Sequence, residues 1–204
     1  MPMQNRVTPT GELIAVADRG MLWGNRGRLH DRQRNLVRYS TGRAWVICVL
    51  DFKGRRRQLW TPGKLTELLF LDEATGLAAG HRPCGECRVA DFRSFKAAWA
   101  TAHPGEDVSA PAIDARLQAD RLTGPGARRT YSANLGELPD GTMVDLDARP
   151  WLVNNGQLLA WSPAGYQGRR TQPPSTSITV ITPRATVGTL TAGYRPILHR
   201  SSTR

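Results

Sequence analysis

The chain is expected to be an α+β protein, with a small zinc-stabilised hairpin and helix module over residues 13–103 and a β-rich C-terminal half over 112–200. Three observations lead there. Cys84 and Cys87 lie two residues apart between two helical runs. The run Val89-Ala-Asp-Phe-Arg-Ser-Phe-Lys-Ala-Ala-Trp99 sets Val89, Phe92, Phe95 and Trp99 on one helical stripe, the mark of a helix packed on a core. After residue 124 the apolar runs become short and β-branched and are separated by Pro, Gly and Asn, as strands of a sheet are. The two stretches form one domain or two.

Taken in order, residues 1–12 are polar, with two prolines, and are expected to be ordered only by docking. Leu13–Ala17 is a short strand candidate. Gly20, Gly24 and Gly27 then break regular structure in a basic loop carrying Trp23, Asn25, Arg26, Arg28 and His30. Ala44–Phe52 has strand composition, Lys53-Gly54 is a turn, and Arg55–Trp60 is expected to return as the hairpin partner. Leu65–Leu71 reads as a further buried run. Asp72 suits a helix N-cap, and Gly80 suits the left-handed residue that stops a helix. His103-Pro104-Gly105 ends the aromatic helix, residues 104–111 are the best linker, and 113–122 reads as another helix. Beyond it, Asn154-Asn155-Gly156 is a hairpin turn between two strands, and Ser177–Thr182 is a strand.

One internal echo stands out. Leu77-Ala-Ala-Gly-His-Arg-Pro83 and Leu190-Thr-Ala-Gly-Tyr-Arg-Pro196 agree at five of seven positions. A decayed duplication explains this, and so does the independent recurrence of a helix stop, because Gly and Pro end helices for local physical reasons.

Composition limits the function classes. With 28 Lys and Arg against 17 Asp and Glu the net charge is +11, and eleven of the basic residues fall between Arg19 and Arg57 against two acidic ones. Such an excess favours a polyanion, nucleic acid before membrane, and DNA is the favoured form. An Arg-rich genome is the alternative source of the excess. No run approaches the ~18 apolar residues of a membrane helix, and no signal-peptide pattern opens the chain, so a soluble cytoplasmic protein without a membrane partner is expected. Three cysteines cannot all pair, and a reducing compartment favours metal or thiol chemistry over disulfides.

Cys-x-x-Cys lets two thiolates share a tetrahedral Zn2+ at about 2.3 Å. Cys84 and Cys87 are therefore half of a zinc site. Cys48 is the only other thiol and His30 the next candidate, with His81, His103 and His199 behind them. The alternatives are a buried, packing Cys48 and a solvated or phosphate-facing His30. Arg26, Arg28, Arg55, Arg56 and Arg57 are the expected phosphate contacts. A thiol oxidoreductase using Cys84 and Cys87 is a competing reading, as is a nucleic-acid-processing enzyme of the nuclease or base-repair type.

Residues 70–87, an apolar run, an Asp-capped helix and Ala79-Gly80-His81-Arg82-Pro83-Cys84-x-x-Cys87, resemble the second half of the zinc module in Ada-type DNA repair proteins. The resemblance implies zinc held by four ligands, with DNA contacts from nearby basic residues. In that family one zinc-bound thiolate accepts a methyl group from a phosphotriester. The family's first ligand pair has no counterpart here, since Cys48 is followed by Val49, Leu50 and Asp51, and His81 stands where the family has an aromatic residue. The resemblance thus extends to Cys84 and Cys87 only.

Overall fold

The computed structural model describes residues 2–54, 58–124, 126–171, 173 and 176–203. The fold is mixed α+β, and its C-terminal half is rich in strands. The chain opens with β1 (Arg6–Val7), β2 (Leu13–Ile14), β3 (Leu22–Asn25), β4 (Val46–Val49) and β5 (Leu68–Phe70). Helix α1 (Glu73–Ala78), β6 (Arg82–Pro83), α2 (Val89–Ala102) and α3 (Ala110–Arg121) follow. Then come β7 (Leu122–Gly124), β8 (Ala127–Arg128), β9 (Tyr131–Asn134), β10 (Met143–Leu146), β11 (Arg149–Asn154), β12 (Gln157–Ser162), β13 (Gly165–Thr171), β14 (Ser177–Val180) and α4 (Arg184–Thr191).

Two six-stranded sheets result. The first has the order β2-β1-β5-β3-β4-β6 and the second β13-β12-β11-β10-β14-β9, while β7 and β8 form a small ribbon. In the first sheet β4 pairs antiparallel with β3 and parallel with β6, so both of its edges are occupied. The hairpin expected between 44–52 and 55–60 is therefore not made: Gln58, Leu59 and Trp60 lie in no strand, and Arg55, Arg56 and Arg57 lie outside the described residues. The N-terminal segment is likewise built in. β1 pairs parallel with β5 and antiparallel with β2, and Val7 is fully buried.

Alternation along β3, β4 and β5 divides the first sheet into two faces. Leu22, Ile47, Leu68 and Phe70 enter a core with Phe95 and Trp99 of α2, Ile113 and Leu117 of α3, and Ala185, Leu190 and Tyr194 around α4. That core joins residues from before and after the turn between α2 and α3, which is shorter than the linker expected over 104–111 because α3 already begins at Ala110. The opposite face carries Trp23, Asn25, Val46, Cys48 and Leu69. Gly24 is required on the core face, because a Cβ there would strike the Val46 carbonyl and the Phe70 ring.

The stop signals act as expected. Asp72 Oδ1 accepts from the Thr75 N–H at 2.9 Å and the Thr75 hydroxyl at 2.8 Å, capping α1. At its other end His81 N–H donates to Gly76 O at 2.9 Å across Gly80, whose φ is +89°. The echo sequence closes α4 in the same way: Tyr194 N–H donates to Thr189 O at 3.2 Å across Gly193, φ +106°. Two helices thus end in one left-handed glycine motif, which accounts for the shared Gly through local geometry. Asn155 and Gly156, at φ 50° and 70°, make the primed turn expected between β11 and β12.

The first turn of α1 fastens the two halves together. Asp72 Oδ2 accepts from the Tyr166 hydroxyl at 2.7 Å and from His199 N–H at 3.1 Å. Glu73 accepts from the Tyr194 hydroxyl at 2.7 Å, from Ile197 N–H at 2.9 Å and from Arg88 at 2.9 Å.

Candidate metal centre

Each cysteine is placed by a separate backbone constraint. Cys48 is on β4, where it faces Trp23 across the antiparallel pair. Cys84 leaves β6 with its N–H donating to Ile47 O at 2.9 Å, which sets it beside Cys48. Before that, Arg82 is held by a bidentate bond to Asp114, both contacts 2.8 Å, and its guanidinium lies over the Phe92 ring at 4.7 Å. Cys87 is fixed by its neighbour Arg88, whose guanidinium reaches Glu73 and Asp91 at 2.9 Å each. The three sulfurs lie within 4.8 Å of one another, and no fourth His, Cys, Asp or Glu joins them among the described residues. Such a group can hold a metal ion.

The protonation pattern suits ligation. Cys84 Sγ accepts from the Cys48 thiol and from the backbone N–H groups of Cys87 and Glu86, the last at 3.4 Å, and these donors outweigh burial to bring its pKa down to about 5. Cys48 is pushed up by donating a hydrogen bond to Cys84 and by burial. Burial also raises Cys87, against a backbone N–H from Val49 that favours the thiolate. Without a metal, the trio holds one thiolate and two thiols near neutral pH. A metal would displace the remaining protons.

The cysteines form one wall of a cavity of about 300 Å3. Trp23, Asn25, Phe52, Glu67 and Glu86 also line it, and Leu50, Leu59 and Leu65 stand at its apolar side. Glu67 is buried, and its Oε2 accepts from the Trp60 N–H at 2.9 Å.

The histidines are engaged elsewhere. His30 is buried and stacks on Trp60 at 5.3 Å with an interplanar angle of 11°. Its Nδ1 meets the Thr66 hydroxyl at 2.7 Å and its Nε2 the Thr61 carbonyl at 3.2 Å. Both ring nitrogens are thus committed, and the structure does not bring His30 to the cysteines. His81 lies between Trp45 and Phe70, its basicity depressed first by burial and then by Arg26, Arg121 and Arg128. His103 contacts the Ala185 carbonyl at 3.0 Å and His199 the Ser201 hydroxyl at 2.8 Å.

The basic residues divide similarly. Arg26 is interior, not a surface contact: it donates to Gly11 O at 3.0 Å and lies over Tyr39 at 4.1 Å, with burial lowering its pKa. Arg28 is exposed, as are Arg32, Arg34, Arg38, Arg43, Lys53 and Lys64. Trp23 and Asn25 were visible in the sequence as loop residues, but only their register opposite Cys48 and Val46 makes them part of the site. Glu67 carried no sequence signal at all.

No helix among the described residues is long and apolar enough to cross a membrane. Comparison with known proteins adds no relative: no family model, curated protein or solved structure matches the chain.

Proposed function

We propose that this is a zinc-stabilised nucleic-acid-binding protein, with DNA the favoured polymer, in which Cys48, Cys84 and Cys87 would hold the metal beside a cavity. The observation that carries the reading is the convergence of Cys48, Cys84 and Cys87 within 4.8 Å at a cavity wall. Thiolates select zinc over harder divalent ions. Structural zinc sites are closed by four protein ligands, whereas sites that engage a ligand or water keep a position open. The net charge of +11 and the exposed Arg and Lys residues of the N-terminal half support a phosphate-bearing partner. The likeness of residues 70–87 to the Ada-type module agrees with this reading.

The cavity favours a second reading, a nucleic-acid-processing enzyme in which Cys48, Cys84 and Cys87 would hold a zinc ion that would supply Lewis-acid chemistry to a group bound in the cavity. A thiol couple confined to Cys84 and Cys87 leaves the placement of Cys48 without a role.

Metal analysis of the purified protein and anisotropy titrations with labelled DNA test the proposal together. One zinc per chain is expected, lost in Cys48→Ser, with DNA affinity falling by about 10³ between 50 and 200 mM salt if six phosphates are neutralised. A chain that takes up no zinc, or DNA binding indifferent to salt, overturns it.

A further inference from the structure

We infer that residues 28–38 form a preorganised two-stranded tongue that enters the major groove of duplex DNA, with Arg32 and Arg34 at its tip on the base edges and Arg28 and Arg38 at its root on the phosphates. The inference rests on the nucleic-acid reading above and names the element and the groove through which that reading would act.

The backbone builds the tongue. His30 and Leu36 pair as an antiparallel bridge, Leu29 O accepts from Val37 N–H at 2.8 Å and Arg38 N–H at 3.2 Å, and Asp31 N–H donates to Asn35 O at 3.0 Å. Asp31 then ties the tip from within. Its Oδ1 accepts the N–H groups of Gln33 and Asn35 at 2.9 Å each, and its Oδ2 accepts from the Asn35 side-chain amide at 3.3 Å. The Asn35 N–H, first among these donors, holds the Asp31 carboxyl below its usual range, so the tie stays ionised at neutral pH. Arg34 turns the tip at φ +66°, a conformation that residues other than glycine seldom adopt. The root is set in the protein interior: Leu29 is fully buried, with its N–H on the Thr66 hydroxyl at 2.8 Å, and the Thr41 hydroxyl accepts from Arg28 N–H at 3.1 Å.

What the tongue presents is polar and cationic. Arg28, Arg32, Gln33, Arg34, Asn35 and Arg38 are exposed, and Asp31 is the one acidic residue in the segment. No ion pair or hydrogen bond to a described residue engages the four guanidinium groups. A two-stranded ribbon, its strands about 5 Å apart, is admitted by the major groove of B-form DNA, about 12 Å wide, and not by the minor groove, about 6 Å wide. Arg, Gln and Asn are also the donors that the acceptor-rich base edges of that groove take. Because the tip is tied before any partner arrives, little chain order is lost on docking. A duplex of RNA has a deep, narrow major groove closed to such a ribbon, so the same geometry selects DNA.

The test uses the full chain in zinc-containing buffer and a fluorescein-labelled DNA duplex of mixed sequence, read by anisotropy, with dimethyl sulfate footprinting of guanine N7 in the major groove. Protection of N7 is expected, with binding that withstands the minor-groove ligand netropsin and a duplex RNA of the same sequence held at least ~10-fold more weakly. Arg32→Ala and Arg34→Ala should each weaken binding of the DNA duplex by about 5- to 150-fold with zinc content unchanged, and Arg38→Ala should lower the salt slope by about 1. Asp31→Ala separates a built tongue from a diffuse cationic patch. A patch would bind DNA more tightly once that negative charge is gone, whereas a tongue that has lost its tie is expected to bind more weakly. Tip variants with wild-type affinity, tighter binding by Asp31→Ala, unprotected N7, displacement by netropsin, equal binding of duplex RNA or binding confined to single strands overturns the tongue and leaves the nucleic-acid reading standing. Failure to bind nucleic acid of any form overturns both.

Discussion

Arg88 and Glu73, fifteen residues apart, form an ion pair of 2.9 Å with both side chains removed from solvent. Burial opposes the charge on Arg88, and the Glu73 carboxylate more than offsets it, holding the guanidinium above its ordinary range. Since Arg88 follows Cys87 directly, the pair anchors the metal-site loop to α1. Removing Arg88 leaves the buried Glu73 carboxylate with the neutral donors of Tyr194 and Ile197 but without its counter-charge. Arg88→Ala is therefore expected to destabilise the protein by about 3–5 kcal/mol in urea melts and to weaken zinc uptake, although Arg88 is no ligand. Unchanged stability in that variant would refute the anchoring role.

Cys84 should be the reactive thiol of the metal-free protein. Its thiolate is favoured down to about pH 5, whereas Cys48 and Cys87 are raised. Alkylation at pH 6 to 7 with iodoacetamide, mapped by mass spectrometry, is expected to mark Cys84 first and Cys48 last, and its rate should fall as pH drops through about 5. Prior loading with zinc should protect all three. Preferential labelling of Cys48 would contradict the proton arrangement.

Zinc affinity must weaken in acid. Ligation strips the protons that Cys48 and Cys87 retain, so lowering pH makes those protons compete with the metal. Calorimetry at pH 7 in buffers of differing ionisation heat should show about two protons released per zinc, matching one thiolate present beforehand. A value near zero would mean that fewer thiols bind.

His30→Ala is expected to leave zinc content at one per chain and to cost about 1–3 kcal/mol. It removes a buried ring that stacks on Trp60 and satisfies Thr66 and Thr61. Loss of the metal in this variant would restore His30 as a ligand.

Asp72→Ala should cost at least about 2 kcal/mol, because it removes the cap of α1 and leaves the Tyr166 hydroxyl and His199 N–H without their acceptor. Thermal melts against wild type give the measure.

What could be read from the sequence was local. The Asp72 cap, the Gly80 stop, the α2 stripe and the Asn155-Gly156 turn are each decided within a few residues, as is the convergence of Cys84 with Cys87. Cys48 was a candidate on scarcity alone; its place is decided by β4 lying between β3 and β6, which no short window contains. The same non-local pairing misled the hairpin assignment, since Ala44–Phe52 looks for a partner next in sequence and finds one twenty-odd residues earlier. Arg26 read as a surface phosphate contact, and His30 as a zinc ligand or a solvated side chain, because loops usually are exposed. Here the loop folds inward, and Tyr39, Trp45 and Trp60 supply aromatic faces that make burial of polar rings and guanidinium groups tolerable.

The donors that Asp72 and Glu73 receive come from Tyr166, Tyr194, Ile197 and His199, all distant in sequence. A gene fragment ending between α2 and α3 would encode every cysteine and still leave two interior carboxylates stripped of most of their partners. The metal knuckle is therefore not a portable cassette. Grafted into another scaffold or expressed by itself, it would lack the keystone that the end of the chain puts in place.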